Sequence, residues 1–169
     1  MKYKPLGLAV LFVAFASAAL AQTQISGTGK CGKPDSSQSI EVGDKAGHLL
    51  VVEKRSCTWT VPIEMAGLKS TTYASASTID VNGPKFQVHG YVVLTMDNGD
   101  KAYVRIQGGG AVTEHASTNG GIWSYMGGTG KLKGLKGKGT YTTTESNGEG
   151  EDKVEGTYSL PEPAPSAKK

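Results

Sequence analysis

The fold of this chain is decided by Gly127-Gly128-Thr129-Gly130-Lys131-Leu132-Lys133-Gly134-Leu135-Lys136-Gly137-Lys138-Gly139-Thr140-Tyr141. Six glycines in fifteen positions exclude a helix interior, where each costs about 1 kcal/mol relative to alanine. The same density suits positive φ, bulges and close backbone approach, as at the corner of a strongly curved sheet. The four lysines are expected on the solvent side of that corner, with Leu132 and Leu135 turning inward.

A glycine–lysine run also invites two nucleotide-binding readings, and both fail. A P-loop needs G-x-x-x-x-G-K-[S/T], but Leu132 follows Gly130-Lys131 and Tyr125 stands where the first glycine belongs. The dinucleotide fingerprint G-x-G-x-x-G breaks at Lys133, and no helix pattern follows.

The motif Gly128-Thr129-Gly130-Lys131, an apolar residue, Lys133, then Gly137-x-Gly139-Thr140-Tyr141 resembles a segment of the dirigent and allene oxide cyclase barrels. It is most similar to their small secreted bacterial relatives. Gly121-Ile122-Trp123 before it and Val154-Glu155-Gly156-Thr157-Tyr158 after it fit the same pattern. The resemblance implies an eight-stranded antiparallel β-barrel of calycin-like shape, and it is carried by residues 121–158. Related plant barrels form oligomers, so it also implies a possible homo-oligomer.

At the other end, residues 1–21 read as a secretory signal peptide. Lys2 and Lys4 precede an apolar run from Leu6 to Ala19, and Ala19-Leu20-Ala21 gives a small-x-small cleavage site. The run is shorter than the ~20 residues a membrane span needs, so no span is expected after cleavage. The expected product is exported, periplasmic or extracellular. Removing two lysines with the signal takes the formal charge from +3 to +1, which takes away the electrostatic motive for binding nucleic acid.

Cys31 and Cys57 are the only two cysteines. In an oxidising compartment they are expected to form a disulfide. Neither has the neighbouring histidine or cysteine that a metal site would need, and no metal or other cofactor is expected.

From residue 22 onward, short β-rich runs alternate with Gly, Asn, Asp, Ser and Pro, the pattern of an all-β sandwich or barrel. Strands are expected at 38–42, 49–59, 70–80, 86–96, 101–113, 122–126, 137–144 and 153–160. Residues 22–30 read as a loose polar lead, 22–160 as one barrel domain, and 161–169 as a disordered Pro-rich tail.

The clearest hairpin runs through Asp97-Asn98-Gly99-Asp100, read as a two-residue type I′ turn. That register pairs Val93 with Val104 and puts His89, Tyr91, Val93, Thr95, Ala102, Val104 and Ile106 on an uncharged inner face. Val92, Leu94 and Met96 then fall outside as a self-association patch.

Chemistry is faint in this sequence. His48 and His115 read as solvated loop residues. His89, on the expected inner face, is the one weak catalytic candidate. Tyr91, Tyr103, Arg105 and Trp123 are the ligand-binding candidates, with Arg105 able to meet a carboxylate. Trp59 and Trp123 read first as core. Glu145, Glu149, Glu151 and Asp152 read as a solvated turn, and they lack calcium-loop spacing. Glu64 reads as a rim residue. The leading expectation is a non-enzymatic module binding a small apolar ligand or a partner protein. A cofactor-free cyclase or isomerase and a structural envelope protein are the alternatives.

Overall fold

The structure, a computed structural model, describes residues 22–114 and 116–161. The expectations for the signal peptide, for His115 and for the tail beyond Pro161 lie outside the described residues.

Eight long antiparallel strands close into a barrel. They are β1 (Thr23–Cys31), β3 (His48–Val61), β5 (Leu68–Asn82), β6 (Lys85–Met96), β7 (Lys101–Val112), β8 (Ala116–Gly128), β9 (Lys136–Ser146) and β10 (Glu149–Ser159). The order around the wall is β1-β10-β9-β8-β7-β6-β5-β3, and β3 returns to β1. Two further strands are accessory. β2 (Ser36–Glu41) pairs with the first half of β3, and β4 (Glu64–Met65) forms a small hairpin with the start of β5.

The number of barrel strands is the expected one, but its membership differs. The run expected at 38–42 is β2, which is not a barrel stave. The missing stave is β1, in the segment read as a loose lead. Its inward positions are Ile25, Gly27 and Gly29, all buried. Two of the three are glycines, so the strand carries no apolar alternation. Larger side chains from across the wall occupy the space: a Cβ at Gly27 would crowd Ile63 and Trp59, and one at Gly29 would overlap Tyr73.

The seam that closes the barrel is short. β1 meets β3 through only four residue pairs, interrupted by a bulge after Thr28. The last pair is Cys31 opposite Cys57, joined by the expected disulfide across Cα atoms 4.4 Å apart. A cross-strand bridge at the weakest ladder holds the two edges together.

The β6–β7 hairpin corrects the inner face. Gly99 N–H donates to Met96 O at 2.9 Å, and Met96 N–H donates to Asp100 O at 2.8 Å. Only Gly99 has positive φ, +87°. This is a type I turn closed by a glycine bulge, a three-residue loop in place of the expected type I′ turn. One extra loop residue slides the register by one, so Val92 faces Val104, Tyr91 faces Arg105 and His89 faces Gln107. Ala102, Val104 and Ile106 are inside as expected. On β6, however, Val88, Leu94 and Met96 point in, and His89, Tyr91, Val93 and Thr95 point out. The expected outer patch of Val92, Leu94 and Met96 therefore does not exist. The type I′ turn occurs instead at Asn147-Gly148 (φ +55° and +82°), between β9 and β10.

The two ends of the barrel differ. At one end the glycine–lysine stretch leaves β8, makes a single 3-10 turn at Gly130–Leu132 and enters β9. That turn fills the gap between the strands expected at 122–126 and 137–144, and it sets a short helical turn in a run whose glycines were read as excluding a helix interior. It has no interior for glycine to destabilise, and it is pinned from outside. Thr129 N–H donates to Lys101 O at 2.8 Å, Lys101 N–H donates to Thr129 Oγ1 at 2.8 Å, and Lys131 N–H donates to Asp100 Oδ2 at 3.0 Å. The Asn98 amide and then the Lys131 N–H hold the Asp100 carboxyl below its ordinary range. Leu132 and Leu135 turn inward as expected and are fully buried, packed in one cluster with Ile63, Met65, Leu68 and Met96. Each such leucine contributes about 1.5–3 kcal/mol of burial. This end is plugged; the other is not.

Candidate functional site

The open half of the barrel encloses a cavity of about 290 Å³. It stays hollow because the largest inward side chains lie along the wall. Trp123 on β8 extends over Gly139 of β9 and Gly156 of β10, where any Cβ would crowd its ring. Its Nε1–H donates to Thr140 O at 3.1 Å and Glu155 O at 3.2 Å. Tyr125 leans over Gly137, and the Tyr141 phenol reaches Gly108. Trp59 and Tyr73 pack together with ring centroids 4.4 Å apart. Glycines on one strand thus make room for aromatics from the next.

The lining is two-sided. Val51, Ile79, Val81, Phe86, Val88 and Ile106 form an apolar wall from β3, β5, β6 and β7. Facing it, β8, β9 and β10 set Asn119, Thr143 and Asp152 side by side, with Tyr141 and Glu145 flanking Thr143 along β9. Glu53 and Arg55 of β3 complete the polar side. Asp152 accepts hydrogen bonds from Tyr73 Oη and Thr143 Oγ1, both at 2.6 Å. Burial first, and the Asp152 charge second, push the Tyr73 phenol far above its usual range, which fixes it as a donor. The same two causes push Tyr141 up to about 12.

Arg55 is held between two carboxylates. Its Nε lies 2.9 Å from Glu53 Oε1 and its Nη2 lies 3.1 Å from Glu145 Oε2. Burial alone would lower the guanidinium, but hydrogen bonds and charge from Glu53, then Glu145, keep it above its ordinary value. Three atoms of lining residues are buried without a partner among the described residues: Asn119 Oδ1, Tyr141 Oη and Trp59 Nε1. The first two project from the polar wall.

Of the catalytic and ligand-binding candidates named from sequence, only Trp123 lines this cavity; Trp59, read first as core, lines it as well. Tyr91, Tyr103 and Arg105 lie on the outer wall, and His89 sits beside them at a shallow outer groove. Glu64 is exposed at the plugged end, paired with Lys69 at 3.2 Å. Glu145 and Asp152 are not part of a solvated turn; they face the lumen. His48 is not free in solvent: its ring bridges Asp44 at 2.6 Å and Asp80 at 3.0 Å. The polar wall was missed, although one signal pointed to it. In Val51-x-Glu53-x-Arg55-x-Cys57-x-Trp59 the charged residues share the period, and so the face, of Val51, Cys57 and Trp59.

Among the described residues, Cys31, Cys57 and Asp152 are the sole group of His, Cys, Asp or Glu side chains close enough to share a metal ion. Two of the three are joined in the disulfide, which leaves one carboxylate and no metal centre there. No helix among the described residues is long and apolar enough to cross a membrane.

No family model matches the sequence, and no curated protein matches it. Solved structures that are similar include two pterocarpan synthase dirigent proteins. GePTS1 is 13% identical with a TM-score of 0.47, over 89% of this chain and 92% of that chain. PsPTS1 is 10% identical with a TM-score of 0.48, over 88% of this chain and 100% of that chain. The eight-stranded antiparallel barrel that the glycine–lysine signature implied is the fold of this chain, on its own strand order and closure.

Proposed function

We propose that this chain is a binding module that holds one small, largely apolar molecule in the open half of its barrel, and that it works outside the reducing cytoplasm. The observation that carries the reading is the hollow interior, about 290 Å³, near the ~300 Å³ lower end of small-molecule sites. An apolar wall supplies affinity, and a few convergent polar groups supply orientation. Buried Asn119 Oδ1, Tyr141 Oη and Trp59 Nε1 lack partners among the described residues, and such groups gain most from a ligand that pairs with them. The Cys31–Cys57 bridge supports an oxidising compartment.

A cofactor-free cyclase or isomerase in the same lumen is the second reading. It is favoured by Asp152, a carboxylate at the lumen wall with its orientation fixed by two hydroxyls. In both readings Trp123 keeps its ligand-facing place. Tyr91, Tyr103 and Arg105 would serve only a partner on the outer wall.

The test is native mass spectrometry of protein purified under mild conditions from its own compartment. A copurified small molecule, released by denaturation and lost when Val88→Trp fills the lumen, is the expected result. An apo mass, together with no thermal shift from a panel of small aromatic and aliphatic compounds, would overturn the reading.

A further inference from the structure

We infer that the molecule held in the lumen carries a cationic head, a protonated amine on an apolar body. This rests on the binding reading above and adds the charge of the ligand to it.

The lumen's charge is lopsided. Glu53, Glu145 and Asp152 line it, and Arg55 is the one cation among the described lining residues. Arg55 is already shared by Glu53 and Glu145. Three carboxylates against one guanidinium leave two formal negative charges unmatched inside a partly apolar chamber. Half-buried Asp152 accepts hydrogen bonds from two hydroxyls, neither of which carries charge. A field of one sign in a low-dielectric cleft is stronger than the same charges in water.

Two of the three unpartnered lining atoms point the same way; the third, Trp59 Nε1–H, is a donor that an ammonium leaves unpaired. Asn119 Oδ1 is an acceptor, and the Tyr141 hydroxyl oxygen can accept as well. Asn119 lies across Thr143 from Asp152 in the ladder, and Tyr141 lies two residues from Thr143. An ammonium, which only donates, suits this set; a carboxylate, which only accepts, would face like charge. Trp59, Tyr73, Trp123 and Phe86 offer ring surface for the body of the ligand and for cation–π contact. A bare metal ion fits less well, because Glu53, Glu145 and Asp152 do not gather their oxygens into one metal-sized cluster.

The test uses three probes of nearly equal size, phenethylamine, phenethyl alcohol and phenylacetate, titrated into the disulfide-bonded chain by calorimetry at neutral pH. Phenethylamine is expected to bind at least about tenfold more tightly than either of the others, with an advantage that shrinks as salt is added. Asp152→Asn is expected to remove most of that advantage, read as the ratio of phenethylamine to phenethyl alcohol affinity in the same variant. Glu145→Gln, at the more exposed mouth, is expected to remove part of it and guards against a folding defect in the first variant. If phenethyl alcohol or phenylacetate binds as tightly as the amine, or if neither variant alters the preference, the cationic ligand is ruled out while the binding reading stands. If none of the three binds, both fall.

Discussion

Trp123 lies over Gly156 so closely that a Cβ at that glycine would collide with the edge of its indole. The contact joins β8 to β10 across the intervening β9 and fixes the ring along the wall, with Nε1–H bonded to two backbone carbonyls. A barrel of eight strands has an interior just wide enough for side chains to fill. This one remains half empty because its aromatics lie sideways over glycines.

Gly156→Ala is therefore expected to force the indole off its seat and into the lumen, destabilising the chain by about 2–3 kcal/mol through overpacking. Gly32→Ala, at a site with open space around it and no positive φ, is expected to stay within about 0.5 kcal/mol. Urea denaturation gives both values. A shift in tryptophan emission accompanying only the first would tie the loss to Trp123.

The disulfide makes a different kind of contribution. It closes a loop with a sequence separation of 26 residues, worth about 3–4 kcal/mol on the chain-entropy model. It also pins the barrel's shortest ladder. The double variant Cys31→Ser/Cys57→Ser is expected to lose stability by that amount. Hydrogen exchange should quicken first in the seam, at residues 28–31 and 57–61, before the β6–β7 ladder changes. Uniform loosening of all strands would show that the bridge does not act at the seam.

These two features show what the sequence could and could not disclose. Turn residues and β-branched runs revealed an all-β sandwich or barrel, the glycine–lysine signature pointed to the barrel, and two cysteines in a chain expected to be exported pointed to the bridge. β1 stayed hidden because glycines stand where apolar residues mark other strands. The inner face of β6 was reversed by one residue of loop length: Asn98-Gly99 and Asn147-Gly148 share a dipeptide, yet only the second forms the type I′ turn. Asp100 accepts the Asn98 amide and the Lys131 N–H, and this distant docking of the glycine–lysine loop accompanies the different turn. Glu145 and Asp152 looked solvated because a charged cluster beside a turn usually is. Only closure of the wall shows which side they face.

His48 provides a pH-dependent clasp between the β2–β3 connection and β5. Hydrogen bonds to Asp44, then Asp80, raise its pKa above the ordinary 6.5. A histidine raised on folding contributes stability that is complete below the unfolded value and fades as pH rises through the folded one. The urea midpoint is therefore expected to fall as pH climbs from about 6 toward 8, with much of that slope absent in His48→Gln. Asp44 and Asp80 are more than half exposed, so the effect is modest and salt-sensitive. A slope unchanged in the variant would assign it elsewhere.

Arg55 separates stability from binding. Its side chain is 13% exposed, with Glu53 at 15% and Glu145 at 25%, so the network is shielded but still wet. Arg55→Met leaves two carboxylates without their shared partner and is expected to cost about 1–2 kcal/mol, less than a fully buried pair because solvent reaches it. The same change removes the one positive charge among the described lining residues, so phenethylamine should bind more tightly to the less stable variant. Adding Glu53→Gln and Glu145→Gln to Arg55→Met should recover most of the stability and lose that gain. Denaturation and calorimetry on the same preparations measure the two quantities separately. Parallel loss of stability and amine affinity in Arg55→Met would show that Arg55 shapes the pocket rather than moderating its charge.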